Sequence, residues 1–347
     1  MKSNQKITNK KIFHDIFEKI NLYNNTLSVT LVGSFSQNFN YEKTGDIDIV
    51  VICNNLDKKY FDTIYKILIS YKKILKKYSK KKKIKVNTSF GPIKYDNKDT
   101  LVLHLMIYDK KMHIEHVINS PFTCYDWERS SFYKGKKLEE IYPVLNLQLN
   151  DFLKSKRGIE SFLKDIEIKK ISYSTYSFRY KRVKLLNKKF LINEYNKKIF
   201  CFNIIKYSLN NLLKFENQKN VKFSNKFINK KLKMITKNEI KFKNFYLNSS
   251  NEFLEFIENN NINEYKLVKR FLVLFKKYIN KYKENVIHIY RHKKTKINKN
   301  IFLGRKINPY ILNDHKNINR KKINYSICLT SPMLRAKQTA NILCPKK

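Results

Sequence analysis

The stretch LVGSFSQNFNYEKTGDIDIVVIC, residues 31–53, places two carboxylates at the start of an otherwise apolar run. Alternate residues of a strand point to the same face, so Asp46 and Asp48 project side by side, roughly 7 Å apart. Ile47 and Ile49 then point to the other face, into a core. Unpaired carboxylates are costly to bury, whereas Mg²⁺ binds one or two protein carboxylates together with phosphate oxygens. The stretch therefore predicts a rigid strand that presents a metal site, although Asp-x-Asp alone is also typical of a solvated edge strand.

Gly33 and Ser34 follow another predicted strand, residues 27–33, and open a turn or a short helix. Glycine lets the backbone approach a phosphate closely, and N–H groups at a helix start attract anions. The Ser34 hydroxyl would add a donor. A Gly-Ser pair alone is also found in plain turns. The specific feature is the order of strand, Gly-Ser, polar spacer, Asp-Ile-Asp and apolar run.

This ordered combination resembles the nucleotidyltransferase superfamily typified by DNA polymerase beta, and more closely its small minimal and antibiotic-modifying members. The pattern of that superfamily is a hydrophobic residue, Gly and Gly or Ser, then a spacer, then two acids that alternate with hydrophobic residues. Here it is VGS, residues 32–34, followed by DIDI, residues 46–49. The resemblance covers residues 25–110.

The resemblance implies a two-metal mechanism with a nucleoside triphosphate as substrate. Asp46 and Asp48 would hold Mg²⁺ or Mn²⁺, and Gly33 and Ser34 would bind the triphosphate. An acceptor oxygen would attack the α-phosphorus and pyrophosphate would leave, with the metals stabilising both oxygens.

The superfamily often supplies a third acid from a later strand, and here the predicted strand LVLHLMIYD, residues 101–109, carries His104 near its middle. His104 would replace the third ligand and join the catalytic set, or it is a packed, hydrogen-bonded core histidine. Asp109 and Glu115 lie too late for the position. An incomplete metal triad would weaken the general base and the second metal site.

The segment MHIEHVINSPFTCYDWERSSF, residues 112–132, contains the only tryptophan, Trp127. Its aromatic rings would stack on a nucleobase or fix a loop onto the sheet. His113, Glu115 and His116 suggest a metal cluster, but on a strand His116 would face away from the other two, so no metal site is predicted there.

Near the C-terminus, VIHIYRHKKTKINKNIFLGR, residues 286–305, is followed by SICLTSPMLRAKQTANIL, residues 326–343. The pair resembles the histidine phosphatase superfamily, with its phosphoglycerate mutase-like fold. That family opens with a strand ending R-H-G-x-T-x-x-N and later has S-P-x-x-R-A-x-Q-T-A.

This second resemblance implies that His292 is a nucleophile that forms phosphohistidine. Arg291 and Arg335 would clamp the phosphoryl oxygens, because guanidinium matches phosphate geometry, and Asn298 would donate a further hydrogen bond. Lys293 stands where the family has glycine and would crowd the phosphate loop.

The family's downstream acid and second histidine would lie beyond Lys347. We therefore expect a truncated or decaying phosphatase domain, or a chain whose remainder is encoded elsewhere, and no phosphatase activity in this chain. Phosphate-ester hydrolysis that disappears in His292→Ala would contradict that expectation.

The chain has 347 residues, with 73 Lys and Arg against 28 Asp and Glu and a net charge of +45. Such a charge fits a polyanionic partner, for example a nucleic acid. Lys, Asn and Ile are nevertheless abundant throughout while Gly, Pro and Trp are scarce, as AT-rich genes encode. Because the basic residues are spread over the whole chain, a nucleic-acid partner is not favoured.

The five cysteines form no C-x-x-C pair and no zinc-ligand spacing, which indicates a reducing cytoplasm. No apolar run approaches the ~20 residues that span a bilayer. The sequence therefore predicts a soluble cytoplasmic protein without a membrane partner.

The order of predicted elements indicates an α+β fold. We expect a small mixed-sheet nucleotidyltransferase domain in residues 1–150, a helical domain in residues 151–283 without a convincing strand, and a partial α/β phosphoglycerate mutase-like segment in residues 284–347. The run YSTYSFRYKRVK, residues 173–184, is predicted to be an amphipathic helix with a basic face, or to contact an anionic acceptor.

The leading functional hypothesis is a Mg²⁺-dependent nucleotidyltransferase that moves a nucleoside monophosphate from a triphosphate to a small-molecule acceptor. The phosphatase-like segment suggests a phosphorylated acceptor, such as a sugar phosphate. One alternative is nucleotidyl transfer to RNA or protein. The other is a degenerate protein that binds nucleotide without turnover.

Overall fold

The computed structural model describes residues 2–41, 46–79, 83–91, 100–155, 160–179, 182–218, 221–237 and 239–285. The chain divides into two units, residues 1–283 and residues 284–347. Apart from Glu284 and Asn285, the second unit lies outside the described residues, and the predicted phosphatase-like segment lies there with it.

A five-stranded mixed sheet forms the centre of the first 150 residues, in the spatial order β3-β4-β2-β1-β5. β2, β4 and β3 are parallel, while β1 is antiparallel to both β2 and β5. The chain is therefore α+β with a mixed sheet, as the element order predicts. The strands are β1 (Thr26–Val32), β2 (Asp46–Cys53), β3 (Lys83–Asn87), β4 (Thr100–Asp109) and β5 (Tyr133–Gly135).

Helices cover both faces of this sheet. On one face α1 and α3 pack over the odd-numbered residues of β2, and on the other α5 and α6 pack over Val50 and Ile52. The helices of this part are α1 (Lys2–Asn21), α2 (Phe35–Asn38), α3 (Lys58–Ser70), α4 (Lys72–Tyr78), α5 (Lys110–Asn119), α6 (Pro121–Trp127) and α7 (Leu138–Ile141).

The face of β2 that carries Asp46 and Asp48 is polar only at its beginning. Asp46 is exposed and Asp48 is half-buried, whereas Val50 and Ile52 on the same face are fully buried. Alternation along a strand produces this arrangement. The apolar part of the strand is held in the core, and only its first residues reach the surface.

The second half contains a helical core in which α10 is the central element, with α9, α11, α12 and α13 against it. None of the helices in the described part of the chain has the length and apolar content needed to cross a bilayer. These helices are α8 (Asp151–Lys154), α9 (Glu160–Glu167), α10 (Glu194–Asn217), α11 (Asn225–Thr236), α12 (Ser250–Asn259) and α13 (Glu264–Ile279), with 3₁₀ turns at Ile240–Phe242 and Asn280–Asn285.

The prediction that residues 151–283 contain no strand is wrong between residues 170 and 191. β6 (Lys170–Arg179) and β7 (Arg182–Leu191) form an antiparallel hairpin with Arg179 opposite Arg182. The described part of the basic run, residues 173–179 and 182–184, therefore lies in strands and is not an amphipathic helix.

The hairpin is held to the edge of the sheet by backbone and side-chain contacts. Phe90 and Ser174 exchange two backbone hydrogen bonds of 2.8 Å. The Tyr176 hydroxyl donates to the carbonyl of Ile107 (2.7 Å) and accepts from its N–H (2.6 Å). The Tyr176 ring also packs against Phe61 and Phe90. The hairpin thus extends the β4 edge beyond the point where β3 ends.

Candidate active site

The turn after β1 is exposed but firmly anchored. Gly33 has φ +79°, in the left-handed region that favours glycine. The Ser36 hydroxyl donates to the Gly33 carbonyl (2.8 Å), and Ser34 is the N-cap residue of α2. Beneath the turn Phe35 is fully buried against Phe13. The exposed pair Gly33-Ser34 is therefore held in one conformation by the core below it.

Gly33 lies directly against one of the predicted metal-binding aspartates. Antiparallel pairing places Val32 opposite Asp48. A Cβ atom at position 33 would lie 2.6 Å from the Asp48 Oδ2 atom, a separation that real side chains do not adopt. The φ therefore favours glycine here, and any larger residue would have to displace the Asp48 carboxylate.

Asp46 and Asp48 lie on the same face of β2, as the alternation predicts. Asp46 is its exposed first residue, and the Asp48 side chain is 25% exposed. Ile47 and Ile49 are fully buried on the opposite face. The two carboxylates therefore stand at the edge of the core and are accessible to solvent.

His104 is part of the same constellation. Parallel pairing of β2 and β4 puts it opposite Asp48. The His104 Nδ1 atom lies 2.8 Å from Asp48 Oδ1, and its Nε2 atom lies 2.7 Å from the carbonyl oxygen of Ser89. The imidazole therefore bridges β2 and the end of the β3 segment.

The partners of His104 decide which of its nitrogens carry protons. A carbonyl oxygen only accepts, so Nε2 carries a proton, and the Asp48 carboxylate accepts from Nδ1–H. Burial by itself lowers the pKa of His104, but the hydrogen bond and charge of Asp48 and the Ser89 carbonyl raise that pKa overall. With both nitrogens donating, this geometry fits an orienting role toward Asp48 better than the predicted role of third metal ligand.

Asn87 and Ser89 were not among the predicted site residues. Asn87 lies opposite His104 in the parallel register of β3 and β4. Its side-chain oxygen accepts hydrogen bonds from the Ser89 backbone N–H (3.1 Å) and from the Ser89 hydroxyl (2.6 Å). The two residues thereby fix the carbonyl that holds His104. The only sequence signal for them is the Asn-Thr-Ser run that ends a strand, and it is weak without the register.

The carboxylate pair offers the kind of donor set that Mg²⁺ accepts. Hard oxygen ligands from one or two carboxylates, completed by phosphate oxygens and water, are typical of substrate-bridging Mg²⁺. Within the described ranges no group of three or more His, Cys, Asp or Glu side chains is arranged to hold a metal ion. Asp46 and Asp48 therefore have the donor type of a magnesium site that would need further oxygen ligands from a substrate or from water.

The histidines of residues 112–132 lie in the core. α5 buries His113, Glu115 is exposed on the same helix, and His116 stacks between Tyr108 (5.1 Å between ring centroids) and Trp127 (5.0 Å). Trp127 itself is buried. The segment forms the helices α5 and α6, so the expectation of a strand at His113 and Glu115 and of a loop is wrong, and the aromatic rings fix these helices to the sheet.

Asp109 is occupied elsewhere. Its carboxylate accepts from the Met112 backbone N–H (2.7 Å) and caps α5. It pairs with Cys53 at the far end of β2, whereas Asp46 begins that strand. Asp109 is therefore remote from the carboxylate pair and does not supply a third acid.

The predicted phosphatase-like residues Arg291, His292, Asn298 and Arg335 lie outside the described residues. The N-terminal constellation accordingly has to be interpreted from its own geometry. Comparison of the chain with protein-family models, with curated proteins and with solved structures found no match.

Proposed function

We propose that the chain is a Mg²⁺-dependent nucleotidyltransferase that moves a nucleoside monophosphate from a nucleoside triphosphate to a small-molecule acceptor. The observation that carries the proposal is the contact between the Gly33-Ser34 turn and Asp48. This contact supports the proposal because the turn that would bind the triphosphate follows β1, and the carboxylates that would hold the metal lie on the neighbouring strand β2.

The turn would bind the triphosphate. The exposed backbone at Gly33 permits close approach of phosphate oxygens, and Ser34 would donate from its hydroxyl. Asp46 and Asp48 would hold the magnesium. When bound, Mg²⁺ neutralises charge on the phosphoryl oxygens and on the leaving pyrophosphate.

His104 would act through Asp48 as a positioning residue. Its two hydrogen bonds, to Asp48 and to Ser89, hold the carboxylate in one orientation. Because both ring nitrogens donate, His104 does not accept the proton that the acceptor hydroxyl loses. That proton would pass to Asp46, the exposed carboxylate of the pair.

Transfer is tested with α-labelled ATP, CTP, GTP and UTP, Mg²⁺ or Mn²⁺, and a total cell extract as the source of acceptors. We expect labelled product with the wild type and at least about 100-fold less with Asp46→Asn or Asp48→Asn, since the charge on the phosphoryl group is then poorly compensated. Glu139→Gln, which neutralises an exposed acid on α7, is the control. Equal product from all four proteins would contradict the proposal.

The second candidate is a degenerate protein that binds nucleotide without turnover. The observation that favours it is His104 at the position where a third acid would stand, paired to Asp48. Triphosphate binding that requires Asp46 and Asp48, with no labelled product from any of the four nucleotides, would decide for this candidate.

A further inference from the structure

A cleft of about 780 Å³ opens at the β3 edge of the sheet, and its nearest lining strand, β3, is two strands away from Asp48. This volume lies within the range of small-molecule sites. Four elements form its walls: α3, the β3 segment, the β6–β7 hairpin and the start of α10. Its lining includes Phe61 and Tyr65 from α3, Asn87 and Ser89 from the β3 segment, Tyr173 and Thr175 from β6, and Asn193 and Asn196 at α10.

The cleft is connected to the site through the sheet. One row of residues crosses four strands, with Val32 opposite Asp48, Asp48 opposite His104, and His104 opposite Asn87. Asn87 lines the cleft, and so does Ser89, whose carbonyl holds His104. Neighbouring strands lie about 4.8 Å apart. In the order of strands, the Gly33-Ser34 turn therefore lies on one side of β2 and the cleft on the other, with His104 and Ser89 between Asp48 and the cleft.

The order of the turn, the carboxylates and the cleft matters for phosphoryl transfer. In an in-line displacement the attacking oxygen and the leaving oxygen lie on opposite sides of the phosphorus. If the Gly33-Ser34 turn holds the pyrophosphate that leaves, the acceptor has to enter from the β4 and β3 side. We propose that the cleft is the acceptor site. Its role as acceptor site rests on the proposed transfer reaction, whereas its ability to bind a ligand does not.

The lining indicates which acceptor the cleft takes. Most of its polar groups are uncharged amides and hydroxyls, such as those of Asn87, Thr175 and Asn196, and aromatic rings from α3, β6 and β7 stand among them. Among the residues that the structure describes, the charged members of the lining are one acid and one base, Asp62 and Lys85. Asp62 is already bound to Lys58 (2.6 Å).

Recognition of a phosphate would call for clustered arginine or lysine. Flat faces of ring compounds pack on aromatic side chains, and ring hydroxyls match amide groups. The cleft therefore takes an uncharged, hydroxylated ring compound, a glycoside or a nucleoside, in place of the phosphorylated acceptor that the sequence suggests. In the transfer, one acceptor hydroxyl oxygen bonds to the α-phosphorus, its proton leaves to a carboxylate, and the bond to pyrophosphate breaks.

Ligand binding is measured by calorimetry on the full chain with methyl α-glucoside, adenosine and cytidine, with and without a non-hydrolysable triphosphate. Glucose 6-phosphate and a short oligoribonucleotide are the charged probes. Thr175→Trp fills the cleft, and Ser177→Trp places the same side chain on the same face of β6 outside the lining. We expect a neutral probe to bind the wild type and Ser177→Trp equally and Thr175→Trp at least about tenfold more weakly.

The separate probes distinguish a glycoside from a nucleoside. Tighter binding of glucose 6-phosphate or of the oligoribonucleotide would overturn the neutral class, and no binding by any neutral probe would overturn the proposal. Displacement of the neutral probe by the triphosphate analogue would show that the cleft holds the nucleotide's own nucleoside, and would overturn the acceptor role. Turnover is measured in a separate experiment. If no transfer is detected but the neutral probe still binds in this pattern, the transferase proposal fails and the cleft remains a ligand site.

Discussion

At the scale of single residues, Gly33 is subject to two independent constraints. Its φ of +79° costs an ordinary residue about 1 kcal/mol or more, and a Cβ would collide with Asp48. We expect Gly33→Ala to destabilise the fold by about 1–3 kcal/mol and to lower nucleotide turnover per folded molecule about 100-fold, because Asp48 is displaced.

Gly135 supplies the control for this change. Its φ is +76°, and a Cβ there would meet the carbonyl oxygen of Leu27 at 2.4 Å. Because a backbone carbonyl yields less easily than a side chain, Gly135→Ala should cost at least as much stability in urea unfolding and leave turnover per folded molecule unchanged. A similar loss of turnover in both variants would refute a specific role for Gly33.

His104 permits a second test at this scale. Asp48 is shared between the imidazole and any metal ion, and His104→Asp would replace a positive partner with a third carboxylate. We expect Mn²⁺ binding, followed by electron paramagnetic resonance, to become about tenfold tighter. His14→Asp on α1, where the side chain is 59% exposed, adds the same charge at the surface and should leave Mn²⁺ affinity almost unchanged. Weaker binding in His104→Asp would count against the site.

At the scale of elements, the attachment of the β6–β7 hairpin to the sheet depends on the Tyr176 hydroxyl. Tyr176→Phe removes the hydroxyl that bonds both the N–H and the carbonyl of Ile107. Two backbone groups are then left without this partner, so we expect a loss of about 1–3 kcal/mol in urea unfolding. Tyr173→Phe, on the opposite face of the same strand, should change stability far less. Equal effects would mean that the Tyr176 bonds contribute little.

The two histidines of α5 should make the free energy of unfolding depend on pH. Burial lowers the pKa of His113 to about 4, and burial together with His113 lowers the pKa of His116 to about 4. The unfolded chain takes up these protons near pH 6.5 and the folded chain does not. The stabilisation is therefore complete above pH 6.5 and is lost as the pH falls toward 4, by on the order of 3 kcal/mol per histidine.

The check is the urea midpoint between pH 7.5 and pH 5. It should fall steeply in the wild type and less steeply in His116→Gln. Replacing the exposed His14 should leave the slope unchanged. A midpoint that stays constant over this range would show that these histidines are accessible to protons in the folded state.

The sequence is informative about this fold where hydrophobic periodicity and turn chemistry agree. β2 alternates between acids and isoleucines, and its bounds and faces follow directly from that pattern. β6 and β7 carry only a short apolar patch on one face, at Tyr176, Phe178 and Val183, and polar or charged residues fill most of the other positions. Their pairing becomes visible only through the contacts of Tyr176 and Ser174 with the sheet.

The candidate site likewise contains residues that a local sequence pattern identifies and residues that it does not. Gly33, Asp46 and Asp48 are recognisable because their chemistry is local to one turn and one strand. The orienting contact of His104 depends on the parallel register with β2 and on a carbonyl fifteen positions earlier in the chain. No local pattern encodes such a register.

At the scale of the whole molecule, a buried ion pair connects the α6 region to the helical core. Lys214 on α10 is 4% exposed, and its Nζ lies 2.5 Å from Asp126 Oδ2, while Arg129 lies 2.7 Å from Oδ1 of the same carboxylate. Removing the acid leaves the ammonium buried and less well compensated, which is the costly half of breaking such a pair.

We therefore expect Asp126→Asn to lower the free energy of unfolding by about 2–3 kcal/mol, less than for a fully buried pair because Asp126 is partly exposed. Asp62→Asn breaks the exposed pair with Lys58 and should cost under about 0.5 kcal/mol. Urea denaturation of both variants measures the difference. Comparable small losses would show that water reaches Lys214.

The phenol of Tyr176 has a consequence for how this chain is cut and produced. Its hydroxyl bonds the backbone N–H and carbonyl of Ile107, as a neighbouring strand would, although Tyr176 lies 69 residues later in the chain. It thereby covers the edge of β4. A fragment that stops at residue 150 would carry every candidate catalytic group of the N-terminal site and still present an open strand edge to its neighbours. Such a fragment should aggregate into inclusion bodies, whereas a fragment extended past residue 191 contains the hairpin that covers this strand edge.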